Sequence, residues 1–221
     1  METFRPVRGE RIGTTAFFRN THFLTTLASL LKGVELPRVL FHGCSNGAEP
    51  YSFAVVWNEL YPGKPITIDA TDVEPTFIEQ ANQLTHPRLQ DDARSLVKFL
   101  PPSSAVSFQP DKPYDVVACM NVLCYLSEGE QRDAIHHMSQ YATMFLCVTA
   151  ADSRLIREAM EDAEFVPVTE NWLRIYYGWR ERLSWRHRKA WKLPYIPMLM
   201  PNWRYSGTSI FRRAVHEEEY W

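Results

Sequence analysis

Residues 42–51 read His-Gly-Cys-Ser-Asn-Gly-Ala-Glu-Pro-Tyr, directly after the apolar run Val-Leu-Phe at 39–41. An apolar run that leads into small residues and then a proline predicts a buried strand, a tight turn and the start of a helix. Gly43 and Gly47 have no Cβ, so the backbone can turn tightly there and approach a ligand. This order is typical of a nucleotide-type ligand site in an α/β sheet, although such a turn alone also serves packing.

A second feature of a nucleotide-type site is an acidic residue at the end of the next expected strand. Residues 66–71, Ile-Thr-Ile-Asp-Ala-Thr, read as the next strand, and Asp72 comes directly after it. An acidic residue at this strand tip, about thirty residues past the first glycine, is placed to accept hydrogen bonds from ribose hydroxyls. The glycine spacing is not Gly-x-Gly-x-x-Gly, and the chain has no Gly-Lys-Ser/Thr motif for a triphosphate. S-adenosylmethionine (SAM) therefore fits better than a dinucleotide or a nucleoside triphosphate.

The composition restricts the class of protein. The chain has 221 residues, of which 45% are apolar, and a formal net charge of −2. This suits one domain, or one domain with an elaboration, and gives no reason to expect a polyanion partner from bulk charge. No apolar run reaches the length of a membrane span, and residues 1–6 contain no apolar signal core.

The cysteine pattern bears on compartment and metal binding. Four cysteines lie in or beside expected strands and turns, without a Cys-x-x-Cys pair: Cys44, Cys119, Cys124 and Cys147. We therefore expect buried, reduced thiols in a cytoplasmic protein. No zinc site is expected, because the adjacent histidines 136–137 would point to different helix faces.

We divide the chain into three zones that we expect to form one domain. Residues 1–34 are a basic lead-in and a helix, residues 35–170 are the ligand-binding core, and residues 171–221 are an aromatic and basic excursion with the last strand. The alternation of strands and helices in the core predicts an open, parallel α/β sheet with helices on both faces.

The expected elements follow from short apolar runs and from helical periodicity. The expected strands are 38–42, 66–71, 105–109, 114–119, 143–149 and 208–213. The expected helices are 48–60, 75–84, 90–100, 127–142 and 153–163. Ser127, with Glu130 three residues later, predicts a capping box at the start of one of them.

Ligands of open α/β sheets bind beyond the carboxyl ends of the strands. Gly43, Asp72 and Asn121 all fall at such ends, so three independent features point to one edge of the sheet. Phe108 and Gln109 end the strand expected after Asp72, near which the adenine lies in such folds.

Four segments occur in the order found in one enzyme family. They are Thr-Ala-Phe-Phe-Arg at 15–19, Gly-Cys-Ser-Asn-Gly-Ala-Glu-Pro-Tyr-Ser at 43–52, Ala-Thr-Asp-Val at 70–73 and Asn-Val-Leu-Cys-Tyr at 121–125. Over roughly residues 13–150 the chain resembles the chemotaxis receptor methyltransferases, the CheR family. The resemblance implies a class I methyltransferase fold, which is Rossmann-like, and SAM as the cofactor.

The resemblance also implies roles for single residues. Arg19 matches an arginine near the methionine carboxylate and the methyl-transfer site, and Tyr125 matches a tyrosine beside the reactive methyl, so these two are the catalytic candidates. Glu49 matches a glutamate that contacts the amino group of SAM, and Asp72 matches the ribose-binding aspartate. The cofactor-binding candidates are Thr15, Arg19, Gly43, Cys44, Ser45, Glu49, Asp72, Val73, Phe108, Gln109, Asn121 and Val122.

Each of these residues also has a structural alternative. Asp72 could cap the turn that follows it, and Glu49 could be an ordinary acid in the first turn of a helix. Arg19 could be a surface residue near a helix start, while Asn121 and Tyr125 could serve a turn and the core. The order and spacing of the four segments favour the functional interpretation.

The chain departs from the family in ways that bear on its acceptor. Only fourteen residues precede Thr15, where the family has a helical domain with a basic docking helix. About forty residues separate Asp72 from Tyr114, too few for the family's three-stranded receptor-tethering insertion. Met120 replaces an arginine of the family, and Ala48 replaces the first glutamate of a pair. We therefore expect an acceptor other than a chemoreceptor.

Residues 172–213 interleave five tryptophans with arginines and lysines, and Glu181 is their single acid. Such a segment suits RNA, through phosphate contacts and base stacking. It equally suits an anionic small molecule, a membrane surface or a protein partner. The structural alternative is a packed excursion in which arginines stack on indoles. Because the segment comes before the last strand, it could also fold over the active edge of the sheet as a substrate lid.

The leading hypothesis is a SAM-dependent methyltransferase with a small-molecule or carboxylate acceptor. A carboxylate is already a nucleophile, and no residue pattern here demands a general base, so the main task of the protein is alignment. The alternatives are an RNA methyltransferase that uses residues 172–213, and a cofactor-binding module that docks a protein partner without catalysis. Transfer to oxygen or to nitrogen and the oligomeric state stay open.

Overall fold

One sheet runs through the part of the chain that the computed structural model describes, residues 15–149, 153–168 and 210–214. Its strands are β1 Arg38–His42, β2 Thr67–Thr71, β3 Val97–Phe99, β4 Tyr114–Cys119, β5 Ala142–Val148, β6 Phe165–Pro167 and β7 Ile210–Arg213. The helices are α1 Thr21–Leu30, α2 Ala48–Leu60, α3 Pro75–Gln83, α4 Asp91–Ser95, α5 Glu128–Ser139 and α6 Ser153–Asp162, and Leu123–Tyr125 form a 3-10 turn.

The strand order is β3-β2-β1-β4-β5-β7-β6. β1 lies in the middle of the parallel part, where Leu40 is opposite Asp69 of β2 and Val117 of β4. β3 and β5 extend the parallel part on either side, and β7 is antiparallel to both β5 and β6. Parallel strands all end at the same edge, so the turns after β1, β2 and β4 are neighbours.

The side chains of the central strands alternate between two cores. Val39 and Phe41 of β1 pack in the core under α1 and α2, whereas Leu40 packs in the core under α5 and α6. Because strand side chains alternate with a period of two, an apolar strand such as β1 fills both cores at once. The sequence prediction of an α/β sheet with helices on both faces is confirmed.

The turn between β1 and α2 ends at Gly47, which has a φ of +81° and caps the helix. A Cβ on this residue would lie 2.8 Å from both Ala81 Cβ and Phe99 Cζ. Every residue from Ala48 to Trp57 except Glu49 is buried. The helix therefore starts where the backbone has no room for a side chain.

The capping box at the start of α5 is confirmed. Ser127 Oγ accepts the N–H of Glu130, and Glu130 Oε2 accepts the N–H of Ser127 at 2.7 Å. Two backbone donors of the first helical turn are thus satisfied reciprocally.

The sequence prediction is wrong in the stretch that follows α3. The chain forms no single helix over 90–100: α4 ends at Ser95, and residues 97–99 form β3. Val97-Lys98-Phe99 alternates apolar and polar side chains, as an edge strand does, and among the described strands it pairs with β2 alone.

The expected strand 105–109 is also wrong. Two prolines at 101–102 follow β3 and have no N–H to donate to a ladder. The carbonyl of Ser104 accepts the N–H groups of Ser107 and Phe108, at 3.2 and 3.0 Å, which closes a turn. Ala105 and Phe108 are apolar because they pack in the core under α5.

The ends of the chain were only partly anticipated by the sequence pattern. β7 confirms the described part of the expected last strand 208–213, and α1 lies within the first zone. The short strand β6 was not anticipated. Residues 1–14, 150–152, 169–209 and 215–221 lie outside the described part of the chain, and the boundaries of the three zones stay a prediction.

We expect Gly47→Ala to lower the free energy of unfolding by about 3 kcal/mol, since the left-handed backbone costs about 1–2 kcal/mol and the contact with Ala81 and Phe99 adds strain. Gly63→Ala is the matched control, because Gly63 has a φ of +73° but nothing lies within 4 Å of its added Cβ. Urea denaturation of both variants measures the difference. Equal losses of stability would contradict the packing argument.

Candidate functional site

A cavity of about 450 Å³ lies at the edge where β1, β2 and β4 end. Its walls come from the turns after these three strands, from the segment before α1, and from residues 103–106 after β3. The volume falls within the range of about 300–1,000 Å³ that is usual for small-molecule sites. The carboxyl edge of the sheet is where the sequence predicts a ligand.

The turn after β1 forms the floor of the cavity. Gly43 has a φ of +64°, and a Cβ there would lie 2.2 Å from Val122 Cγ2. The N–H of Cys44 donates to the carbonyl of Thr71 at 3.1 Å, and the N–H of Ser45 donates to Asp72 Oδ2 at 2.8 Å. These two hydrogen bonds fix the turn after β1 to the end of β2.

The position of Asp72 is compatible with both roles considered from the sequence, which are capping the following turn and binding ribose hydroxyls. Its Oδ1 accepts the N–H of Glu74 at 3.1 Å, so the residue does cap its own turn, while Oδ2 holds Ser45. A carboxylate offers about four lone-pair sites, so each oxygen keeps a site for a further donor. Because Asp72 also lines the cavity, a pair of hydroxyls could complete its hydrogen bonds.

Glu49 and Arg19 line the same cavity from different elements. Glu49 lies in the first turn of α2, and burial raises the pKa of its carboxyl to about 7, although the charge of Arg19 opposes the rise. A cationic group bound beside Glu49 would favour the ionised carboxylate. Arg19 lies just before α1, in the same segment as Thr15, which also lines the cavity.

The turn after β4 supplies another wall of the cavity. The N–H of Asn121 donates to Thr149 Oγ1 at 2.8 Å, and Thr149 Oγ1 donates to Asn121 Oδ1 at 3.3 Å. Tyr125 lies on the 3-10 turn, where burial raises the pKa of its phenol and the charge of Arg19 opposes the rise. The Tyr125 hydroxyl therefore stays protonated near neutral pH and can donate a hydrogen bond.

Backbone strain is concentrated around the cavity. Of the four non-glycine residues with positive φ in the described chain, three belong to its walls or adjoin them: Phe18 (56°), Ser45 (50°) and Asn121 (59°). Each such residue costs of order 1–3 kcal/mol and persists only where its surroundings enforce it. Strain of this kind is typical of ligand sites.

The structure brings eleven of the thirteen predicted residues to the cavity. They are Thr15, Arg19, Gly43, Cys44, Ser45, Glu49, Asp72, Val73, Asn121, Val122 and Tyr125. Phe108 and Gln109 do not line it. Phe108 is buried against the edge of the His42 ring, with the ring centroids 5.0 Å apart, because the expected strand 105–109 is a turn that directs Phe108 into the core.

Other residues, which the sequence pattern did not indicate, line the cavity after β3. Residues 103–106, Ser-Ser-Ala-Val, line the cavity, and the N–H of Ser103 donates to the carbonyl of Asp72 at 3.0 Å. Phe77, Met120 and Leu126 line it as well. The pair of prolines at 101–102 was the available signal, since it marks a loop directly after a strand end.

Further sequence expectations concern thiols, metals and membranes. Cys44, Cys119 and Cys147 are buried free thiols, and Cys124 is an exposed one. Within the described residues, no group of three or more His, Cys, Asp or Glu side chains is arranged to hold a metal ion. None of the helices seen there has the length and apolarity to cross a membrane. Most of the tryptophan-rich segment 172–213 lies outside the described part.

Comparison with known proteins agrees with this geometry. Residues 13–91 match the SAM-binding domain of CheR methyltransferase. A chemotaxis protein methyltransferase of Vibrio parahaemolyticus is 25% identical over 164 residues, which are 57% of this chain and 58% of that protein. The chain thus spans less than two thirds of the length of this relative.

Solved structures show the same fold. Magnesium protoporphyrin IX methyltransferase from Synechocystis with bound SAM is similar with a TM-score of 0.54 and 16% identity, over 68% of this chain and 70% of that one. Its complex with S-adenosylhomocysteine (SAH) gives a TM-score of 0.51 and 15% identity, over 68% and 75% of the two chains. The resemblance inferred from the four sequence segments is confirmed: residues 13–91 are similar to the SAM-binding domain of CheR methyltransferases, and the fold is the class I methyltransferase fold.

Proposed function

We propose that this chain is a SAM-dependent methyltransferase whose acceptor is a small molecule with a carboxylate, and not a chemoreceptor. The observation that carries the proposal is the meeting of Arg19, Glu49, Asp72, Asn121 and Tyr125 around one cavity. These residues come from four separate segments of the sequence. Their convergence supports a common ligand better than five separate structural roles do.

The residues of the cavity fit SAM in chemical type. Asp72 would accept the ribose hydroxyls, and Glu49 would pair with the amino group of the methionine part. Arg19 would pair with the carboxylate of that part, while the turn at 43–45 lets the backbone approach the ligand. When bound, SAM supplies a methyl group on a sulfonium, so that a new bond to the acceptor forms as the S–C bond breaks and SAH leaves with the electron pair.

The lining of the cavity supports a carboxylate acceptor. Among the described residues that line it, none is a histidine or a lysine that would take a proton from an amine or an alcohol. An ionised carboxylate needs no such base. Tyr125 can donate a hydrogen bond that orients one carboxylate oxygen and leaves the other facing the methyl group.

Two features support an acceptor other than a chemoreceptor. Between β2 and β4 the chain forms α3, α4 and the three-residue strand β3, without a three-stranded subdomain. Met120, which replaces the arginine of the family motif, is buried and lines the cavity, so this wall is less basic. The relative from Vibrio carries the chemotaxis assignment, and that acceptor is not proposed for this chain.

Asp72→Ala should weaken binding of both SAM and SAH by about a hundredfold, because two charge-assisted hydrogen bonds to the ribose are lost. Isothermal calorimetry measures the change. Asp115→Ala is the matched control, since Asp115 Oδ2 also accepts a backbone N–H, that of Arg38 at 2.8 Å, where β1 begins. Wild-type affinity in Asp72→Ala would contradict the site assignment.

Affinity for SAH should rise between about pH 5.5 and 7.5, because the ionised Glu49 carboxylate binds the ammonium group and its pKa is raised to about 7. The ammonium group itself stays protonated over this range, since an α-amino group has a pKa of about 8. Calorimetry at several pH values tests this. Glu49→Gln should remove the rise; a rise of the same size in that variant would assign it to another group.

The acceptor class is tested with SAM that carries a labelled methyl group, incubated with the protein and a cell extract. Methyl esters release labelled methanol in mild alkali, whereas methylated nitrogen and sulfur keep their label. We expect alkali-labile label in the small-molecule fraction, and none with Asp72→Ala. Stable label in RNA or protein would overturn the carboxylate acceptor while leaving the methyltransferase activity intact.

A further inference from the structure

A hydrogen bond joins the segment before α1 to α2. The N–H of Phe18 donates to Ser52 Oγ at 2.8 Å, and Ser52 Oγ donates to the carbonyl of Ala48 at 2.5 Å. Ser52 is only 1% exposed, so its side chain in this bond is shielded from water. A chain segment 34 residues away in sequence is thereby held at the second turn of α2.

The bond acts on a strained residue. Phe18 has a φ of +56°, a conformation that a bulky side chain rarely adopts. Its ring lies under the Arg88 guanidinium, 4.0 Å from centroid to Cζ, and Arg88 is itself held by Glu59 at 2.7 Å. Phe17 beside it stacks on His86 with the ring centroids 4.1 Å apart. Arg88 and His86 thus hold the two aromatic rings, while Ser52 holds the backbone of Phe18.

The residue that follows Phe18 is Arg19, which lines the cavity. Ser52 and Glu49 are three positions apart on α2, so they lie on the same face of that helix. One helix therefore carries the acid of the cavity directly and places the arginine indirectly. We propose that Ser52 is a positioning residue, which sets the Arg19 guanidinium against the amino-acid part of the ligand by holding the backbone of Phe18; this inference rests on the proposed function.

A purely structural role for Ser52 makes a different prediction. Serine in a helix often donates to the carbonyl four residues earlier, and Ser29 of α1 does so toward Thr25 at 2.8 Å. If Ser52 did only this, its loss would affect folding or the whole cavity uniformly. If Ser52 positions Arg19, its loss weakens only the contact with the amino-acid part.

Two ligands separate these cases. SAH contains the nucleoside and the amino-acid part, whereas 5′-methylthioadenosine contains the nucleoside and a methylthio group but no amino-acid part. Calorimetry with both ligands on Ser52→Ala, Arg19→Ala and the double variant gives a double-mutant cycle. Ser29→Ala is the matched control. It removes the same kind of hydrogen bond, from a serine hydroxyl to the carbonyl four residues earlier, but within the described part of the chain the Ser29 hydroxyl does not hold a second segment.

We expect Ser52→Ala to bind SAH about tenfold more weakly, as for the loss of one charge-assisted hydrogen bond, and 5′-methylthioadenosine within about twofold of wild type. In the Arg19→Ala background the serine change should add nothing. Unchanged SAH affinity, an equal loss for both ligands, or additive effects in the double variant would overturn the positioning role. Wild-type protein that binds neither ligand would instead overturn the proposed function.

Discussion

The hydrogen bond from the Ser45 N–H to Asp72 Oδ2 is the interaction on which the site depends. Together with the bond from Cys44 to the carbonyl of Thr71, it joins the ends of the two central strands into one surface. Asp72 is buried at 6% exposure, and it lines the cavity. Without this contact, the bond from Cys44 would hold the turn after β1 alone, and the Asp72 carboxylate would be held only by the N–H of Glu74.

The surrounding structure is built so that this edge can carry strain. β1 contributes Val39 and Phe41 to one core and Leu40 to the other, so both faces of the sheet are anchored below the turn. Ser45 and Asn121, both with positive φ, follow strands that are held in this way. Burial of apolar side chains along the strands thus offsets the cost of the two unusual turns at their ends. The strained residues Ser45 and Asn121 both line the cavity, so the strain of these two turns lies in its walls.

The sequence predicts the centre of the site and misses its periphery, for a physical reason. Gly43, Asp72 and Asn121 follow strands that the sequence pattern predicts, so the strand-end rule places them correctly, and all three line the cavity. Residues 103–106 follow the three-residue strand β3, which is too short for a clear hydrophobic pattern, so the prolines at 101–102 are the single local signal of the loop. Phe108 was misassigned because an apolar residue that fills a core from a turn looks the same in sequence as one in a strand. The bond between Phe18 and Ser52 has no sequence signature, since it joins two distant segments through one backbone N–H.

A crystal structure of the protein with SAH tests the central claim most directly. The account predicts that both ribose hydroxyls lie within hydrogen-bond distance of the Asp72 carboxylate, and that the amino-acid part lies between Glu49 and Arg19. SAH bound at another place, or bound in this cavity with its ribose away from Asp72, would contradict it.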